Sequence, residues 1–171
     1  MDKLSFNSFT KKIYIKAPIE KIYWCWATTT GICSWFLRNA SYKDKAGVVR
    51  NPEAYIAAGD EYIWEWHNWD GKEKGNVLNT DGGSFIIFSF AEVCKVTLTL
   101  EEMENAVLVS LEQSEIPLDE DSKMNIYTGC SNGWTFWLAN LKAYLEHGIL
   151  LNETEYDLTK EPLAGHIYVN M

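Results

Sequence analysis

The sequence predicts an α+β fold in which one curved antiparallel sheet packs against a long helix near the C-terminus. Two patterns lead to this prediction: apolar and polar residues alternate through most of the first two thirds of the chain, and a proline-free segment with helical spacing follows at 122–148. Hydrophobic residues make up 47% of the 171 residues, which is enough for one domain with a full core. A sheet with one apolar face needs a cover, and this helix is long enough to provide it.

The first strand is predicted at 9–16, where apolar residues occupy every second position and lysines lie between them. The strand leads to Pro18, which suits the first turn of a helix, and apolar residues then follow at helical spacing up to residue 26. Threonines and a glycine at 28–31 are expected to interrupt this helix. The segment 32–36 is typical of a second short helix or a turn.

Between residues 42 and 115 the apolar period is two, and turn residues divide this region into an antiparallel meander. The predicted strand segments are 61–68, 75–79, 84–90, 94–100 and 107–112. A polar break at 117–121 precedes the long helix, for which Gly148 is the expected stop. The acidic residues of that break are interpreted as a helix N-terminus and not as a cation site.

The chain shows no repeat or linker, so we expect a single domain at 1–149 and a tail at 150–171 that packs on it. The net charge is −9 and no long basic run occurs, which disfavours nucleic-acid binding and membrane attachment. No membrane span, signal or lipid motif is visible, and we therefore predict a cytoplasmic protein without membrane insertion. The four cysteines are scattered and are interpreted as reduced thiols.

Three features resemble the SRPBCC or START-like superfamily: the strand–Pro18–helix opening at 13–22, the Trp35-Phe36 pair after a Thr/Gly break, and the sequence of 133–146. Within it, the chain is most similar to the subfamily of the Aha-type activator of a heat-shock chaperone ATPase. The resemblance spans roughly 6–148 and implies a helix-grip fold, with a hydrophobic cavity between the sheet and the C-terminal helix. Members include lipid carriers, hormone-binding proteins, polyketide aromatases or cyclases, and co-chaperone modules, so the fold leaves the activity open.

Aromatic residues are the most unusual feature of the composition, with eight Trp, nine Tyr and seven Phe. Tyr62, Trp64 and Trp66 share one face of a predicted strand, because side chains alternate along a strand. The residues predicted to line the cavity are Tyr62, Trp64, Trp66, Phe88, Val96, Leu98, Trp134, Trp137, Leu138 and Leu141. The polar candidates to orient a ligand are Tyr62, Asn76 and Tyr127. The alternative is that the rings simply fill the interior as core.

The sequence contains few residues that are suited to catalysis. Glu65 and His67 lie two apart on one strand, where they would form an acid–base pair or, as we favour, an exposed ion pair on the outside of the sheet. His67, His147 and His166 are widely separated, and no nucleophile, phosphate-loop or zinc-protease motif occurs. We therefore expect no catalytic residue, no metal ion and no cofactor.

These observations predict a protein that binds a small hydrophobic molecule in a cavity between the sheet and the C-terminal helix, without catalysis. Two alternatives stay open: a protein-interaction module resembling the chaperone ATPase activator, and an enzyme that acts on a cyclic or polyketide-like substrate. A homodimer or another protein partner is a further hypothesis, since Trp and Tyr are enriched at interfaces.

Overall fold

One antiparallel sheet of seven strands, in the order β1-β7-β6-β5-β4-β3-β2, dominates the computed structural model, which describes residues 4–171. The strands are β1 (Phe9–Ile15), β2 (Asn39–Lys43), β3 (Glu61–Glu65), β4 (Glu73–Thr80), β5 (Phe85–Phe90), β6 (Cys94–Glu102) and β7 (Val107–Ser114). The helices are α1 (Ile19–Ala27), α2 (Thr29–Cys33), α3 (Glu120–Ser122), α4 (Gly129–His147) and α5 (Ala164–Ile167). A π-helical segment, Lys123–Thr128, joins α3 to α4. The first three residues of the predicted 1–149 domain lie outside the described residues.

The predicted α+β helix-grip fold is confirmed, because α4 packs on the sheet and two short helices follow the first strand. Helix α4 buries Trp134, Trp137, Leu138 and Leu141, which are apolar positions at helical spacing. The helix ends where predicted, since Gly148 has a left-handed conformation with φ of 67° and donates its N–H to Tyr144 O at 2.9 Å.

The first helix is interrupted at the threonine run, as predicted, because α1 ends at Ala27, but α2 begins at Thr29 and not at residue 32. Thr28 is buried, and its Oγ1 accepts a hydrogen bond from Gly31 N at 2.9 Å and donates one to Trp24 O at 3.0 Å. This side chain therefore links the end of α1 to the start of α2 as an N-cap. A Cβ at Gly31 would lie 2.0 Å from Trp24 O, so the approach of the two helices requires glycine there.

Strand β2 (Asn39–Lys43) is not among the predicted strand segments, and several predicted strand ends shift by one or two residues. Two further differences concern the long helix and β3. The helical region begins at Glu120, where Asp119 caps it by accepting a hydrogen bond from Ser122 N at 2.9 Å, and it includes the π-helical segment. Strand β3 ends at Glu65 and not at residue 68, because Asn68 adopts a left-handed conformation with φ of 58° and turns the chain. Trp66 therefore lies just beyond the strand.

The interior is filled by aromatic rings, with Phe36 at their centre. Its ring centroid lies 5.0–6.3 Å from those of six indoles, which are Trp26, Trp35, Trp64, Trp66, Trp134 and Trp137. Offset and edge-to-face arrangements of this kind stabilise a core beyond the area they bury. The candidate site lies beside this aromatic core, towards one end of the sheet. Among the described helices, none has the length and apolar character needed to cross a membrane.

Candidate functional site

A cavity of about 660 Å³ lies at the end of the sheet, between the segments that flank β3 to β5, the first turns of α4 and the tail 150–171. This volume is in the range typical of small-molecule sites. The cavity is partly open to solvent and its surface is mostly apolar. Its apolar walls are formed by Trp66, Trp69, Phe90, Ala91, Phe136, Ile167, Val169 and Met171. Its polar walls are formed by residues that include His67, Glu73, Cys130, Asn132 and His166.

The turn after β3 places two tryptophans at the cavity. Trp66 and Trp69 flank the left-handed Asn68, and their rings meet edge to face with centroids 5.4 Å apart. The Asn68 side chain also holds the tail, since its Nδ2 donates to Glu153 O at 3.0 Å and its Oδ1 accepts from Leu158 N at 2.9 Å. One asparagine therefore shapes the turn and fixes the segment opposite it.

Two glycines on α4 create much of the space. Gly129 and Gly133 are four residues apart, so they share one face of the helix, and both line the cavity. A Cβ placed on either glycine would have no heavy atom within 4 Å. The free volume therefore reflects side chains that are missing from this face of α4.

The C-terminal tail forms the outer wall. Gly165–Val169 and Met171 line the cavity, and the tail is joined to α4 through the buried Asn140. The Asn140 Oδ1 accepts from Leu151 N at 2.6 Å, while its Nδ2 donates to Trp35 O at 2.6 Å. Glu153 N also donates to Asn170 O at 2.7 Å, which ties the two ends of the tail together. These bonds position the tail beside the cavity.

The cavity carries one half-buried carboxyl group. Glu73 opens β4, and its Oε1 accepts a hydrogen bond from Ala91 N at 2.7 Å. Burial raises the pKa of Glu73, the Ala91 N–H opposes this effect in part, and the Glu92 carboxylate adds to the increase. Burial, with the nearby Arg38 charge, lowers the pKa of His67, so that histidine is neutral at neutral pH. Burial raises the pKa of Cys130 to about 11, which keeps it a thiol.

Of the ten residues that the sequence predicted to line a cavity, Trp66 lies at the wall of the cavity described above. The other nine are buried in the packed core behind it, and they are Tyr62, Trp64, Phe88, Val96, Leu98, Trp134, Trp137, Leu138 and Leu141. The rings of Trp64 and Trp66 are 6.1 Å apart, which connects the core to the cavity. A ligand contact for these ten residues stays a prediction.

The polar groups suggested from the sequence lie elsewhere. Tyr62 donates its hydroxyl to Ser89 O at 2.6 Å, Asn76 is exposed on β4, and Tyr127 packs edge to face on Phe9. The three are not among the residues that line the 660 Å³ cavity. The sequence alternation placed them on the correct strands and helix but did not show where the free space lies.

Glu65 and His67 occupy different environments. Glu65 Oε1 is 3.0 Å from Lys72 Nζ, and its Oε2 accepts a hydrogen bond from Asn39 Nδ2 at 2.7 Å. The bonds from Asn39 and Lys72 lower the pKa of Glu65. Glu65 therefore forms an ion pair, but its partner is Lys72 and its side chain is only 15% exposed, so the predicted exposed ion pair is not what the structure shows. His67 and His166 both line the cavity. His147 lies at the exposed end of α4, with its Nε2 3.9 Å from Glu146 Oε2.

Several cavity residues escaped the sequence analysis, in particular Trp69, Glu73, Phe90 and Phe136. One available signal was the i, i+4 spacing of Gly129 and Gly133 in a helix otherwise rich in large side chains. Glu73 had no such signal, because its position depends on strand pairing with Trp64 and on the turn that follows β5.

Comparison with known families identifies the relatives of this chain. Residues 16–146 match the family described as activator of Hsp90 ATPase homolog 1-like protein. The chain belongs to this family. The predicted Aha-type and SRPBCC-like resemblance is thereby confirmed, and the Aha1-like fold supports a ligand-binding or interaction module in general.

Solved structures show the same Aha1-like fold. A protein from Staphylococcus saprophyticus has a TM-score of 0.67 at 18% identity, covering 86% of this chain and 97% of its own. The Aha1 dimer from Colwellia psychrerythraea has a TM-score of 0.64 at 20% identity, covering 82% and 97%. A Mesorhizobium loti protein has a TM-score of 0.65 at 18% identity, covering 84% and 99%. No protein with a curated description matches the chain.

Proposed function

We propose that this protein binds a small hydrophobic molecule in the cavity between the end of the sheet, α4 and the C-terminal tail. The observation that carries the proposal is the cavity itself, which has about 660 Å³ of space and walls formed by Trp66, Trp69, Phe90 and Phe136. Small-molecule sites typically combine apolar walls of this kind with a few polar groups that orient the ligand. Glu73 and His67 supply such groups here.

The arrangement of core and cavity supports the same function. The core rings behind Trp66 are closely packed, with Trp64 between Tyr62 and Phe88 at centroid distances of 4.3 and 5.1 Å. They form a rigid floor, whereas Gly129 and Gly133 leave open space above it. A preformed apolar space lowers the cost of binding, because the protein need not reorganise to admit the ligand.

The test is a fluorescence titration with Nile red, a neutral dye whose emission rises in apolar surroundings. Gly133→Leu places a side chain in the free space of the cavity, and leucine also favours the helix. We expect saturable dye binding by the wild type and a loss of at least about tenfold in affinity for Gly133→Leu. Ala139→Leu is the matched control, since Ala139 is exposed on the same helix.

Two results would contradict the proposal. One is a folded wild-type protein that shows no saturable dye response. The other is equal affinity for Gly133→Leu and Ala139→Leu, because the dye would then bind away from the cavity. Trp66→Ala gives an independent check, because Trp66 was predicted from the sequence to line a cavity and lies at the wall of this one. We expect this variant to bind the dye more weakly. Its circular dichroism spectrum separates a local loss of contact from unfolding of the core.

A second candidate function is protein interaction through exposed apolar residues of the tail. Leu163, Ile167 and Val169 are 70%, 63% and 81% exposed, which is unusual for three large apolar residues in one short segment. The similar Colwellia psychrerythraea structure is described as a dimer. Light scattering at increasing protein concentration tests this candidate: self-association should raise the molar mass, and Leu163→Asp, at a residue that does not line the cavity, should abolish the rise.

We also propose a cytoplasmic location. The four cysteines Cys25, Cys33, Cys94 and Cys130 are all free thiols, as expected in a reducing compartment. Fractionation of the source cells, with an antibody against the protein, tests this location. Recovery in an oxidising compartment would contradict it.

A further inference from the structure

We propose that the ligand carries a hydrogen-bond-donating amine, preferentially cationic, which lies against the Glu73 carboxyl, and that the cavity discriminates against anionic molecules such as fatty acids. This inference rests on the proposed function, since it specifies the chemistry of the molecule that the cavity binds. It is carried by the geometry of Glu73 and by the charges around it.

Glu73 has more hydrogen-bonding capacity than the fold uses. Its Oε1 accepts from Ala91 N, which orders the turn where Ala91 and Glu92 have left-handed φ values of 49° and 66°. This structural task needs one neutral acceptor, and a glutamine would provide it equally well. Within the described residues, the second oxygen of Glu73 has no protein hydrogen-bond donor and the carboxylate has no ion-pair partner. An acceptor is therefore left for the ligand.

The surroundings of Glu73 do not neutralise it. Among the described residues that line the cavity there is no lysine or arginine, and the neighbouring Lys72 is paired with Glu65 at 3.0 Å. His67 is neutral at neutral pH because burial and Arg38 lower its pKa, and the other titratable side chains at the wall besides Glu73 are Cys130, His166 and Tyr168. Glu92 adds a second negative charge close to Glu73. The cavity therefore favours cations over anions.

Glu73 lies at the cavity between the sheet and α4. It pairs with Trp64 of β3 and lines the cavity together with Cys130 of α4. The Glu73 charge adds to the raised pKa of Cys130, whose main cause is burial. A half-buried carboxylate without a partner is unfavourable, and a cationic donor restores the interaction that the group loses with water.

The test uses three naphthalene compounds that differ only in the polar group: 2-naphthylmethylamine, 2-naphthylmethanol and 2-naphthoate. Their affinities are measured at pH 7 by displacement of bound Nile red. We expect the amine to bind most tightly and the carboxylate most weakly, with at least about a tenfold difference, as for a hydrogen bond that involves a charged group. Glu73→Gln should reduce the amine-to-carboxylate preference to less than about threefold. Glu65→Gln is the control, because Glu65 is paired outside the cavity.

Each outcome decides the inference. If Nile red binds and the three compounds have equal affinities, or if Glu73→Gln keeps the amine preference, the inference is wrong and the proposed function stands. If 2-naphthoate binds more tightly than 2-naphthylmethylamine, the inference is likewise wrong and the proposed function stands. If neither Nile red nor any naphthalene compound binds the folded protein, the proposed function and the inference fail together. The Nile red affinity of Glu73→Gln, with its circular dichroism spectrum, shows that the cavity of that variant is intact.

Discussion

Replacement of Asn140 by alanine is the most informative test of how the tail is held beside the cavity. Asn140 is buried on α4 and makes three hydrogen bonds. Its Nδ2 donates to Trp35 O at 2.6 Å and to Asn152 Oδ1 at 3.3 Å, and its Oδ1 accepts from Leu151 N at 2.6 Å. Alanine removes all three bonds and leaves their partners behind.

The expected loss of stability follows from the burial of those partners. Trp35 is buried, so its carbonyl would lose its Asn140 partner at a cost of about 1–3 kcal/mol. Leu151 is exposed, and its N–H regains water at little cost. The smaller side chain adds about 1 kcal/mol for the space left in the core. The total loss of stability for Asn140→Ala is about 2–4 kcal/mol. Each kcal/mol should lower the melting temperature by about 2–4 °C.

The assay is urea denaturation followed by tryptophan fluorescence and by far-ultraviolet circular dichroism, whose agreement tests two-state behaviour. Asn152→Ala is the control, because it removes only the 3.3 Å bond from the same buried amide. We expect it to cost less than about 1 kcal/mol. A loss below about 1 kcal/mol for Asn140→Ala, or equal losses for the two variants, would refute the reasoning that Asn140 anchors the tail to the core.

Three further substitutions test other features. Burial raises the pKa of Glu73 in the folded protein, so ionisation of this group destabilises the fold as the pH rises. Glutamine does not ionise, and the stability of Glu73→Gln relative to wild type should therefore increase between about pH 4 and pH 7. Urea titrations across that range check this, and a pH-independent difference contradicts it. Gly31→Ala should lower the free energy of unfolding by at least about 2 kcal/mol in the same titration, because the added Cβ would lie 2.0 Å from Trp24 O. An unchanged free energy would show that α1 and α2 move apart freely. Gly148→Ala should cost about 1 kcal/mol, since φ is 67° there, and calorimetry showing an unchanged melting temperature would exclude the C-cap role.

Much of the architecture was predictable because its causes are local. Alternation along Phe9–Ile15 gives a half-buried strand, and the apolar spacing of α4 gives a helix with one buried face. Gly148 ends that helix through its own backbone conformation. The same local features supported the resemblance to Aha-type proteins, which the family match at 16–146 confirmed.

The threonine run shows where local interpretation was incomplete. It was expected to interrupt the first helix, and α1 does end at Ala27, but the Thr28 side chain also caps α2 and bonds to the end of α1. Whether a threonine that ends one helix also caps the next depends on which backbone groups are within reach. That geometry is set by the packing of α1 against α2.

The sequence by itself determined that the protein has a sheet, a covering helix and an unusually aromatic interior. Only the tertiary structure decided which rings are core and which border free space: Trp64 is buried in β3, whereas Trp66 lies beyond the end of that strand, at the cavity. The end of β3 and the glycine face of α4 determine this difference. The burial of a side chain depends on the residues that pack against it. Residues that are distant in sequence pack together only when the chain has folded.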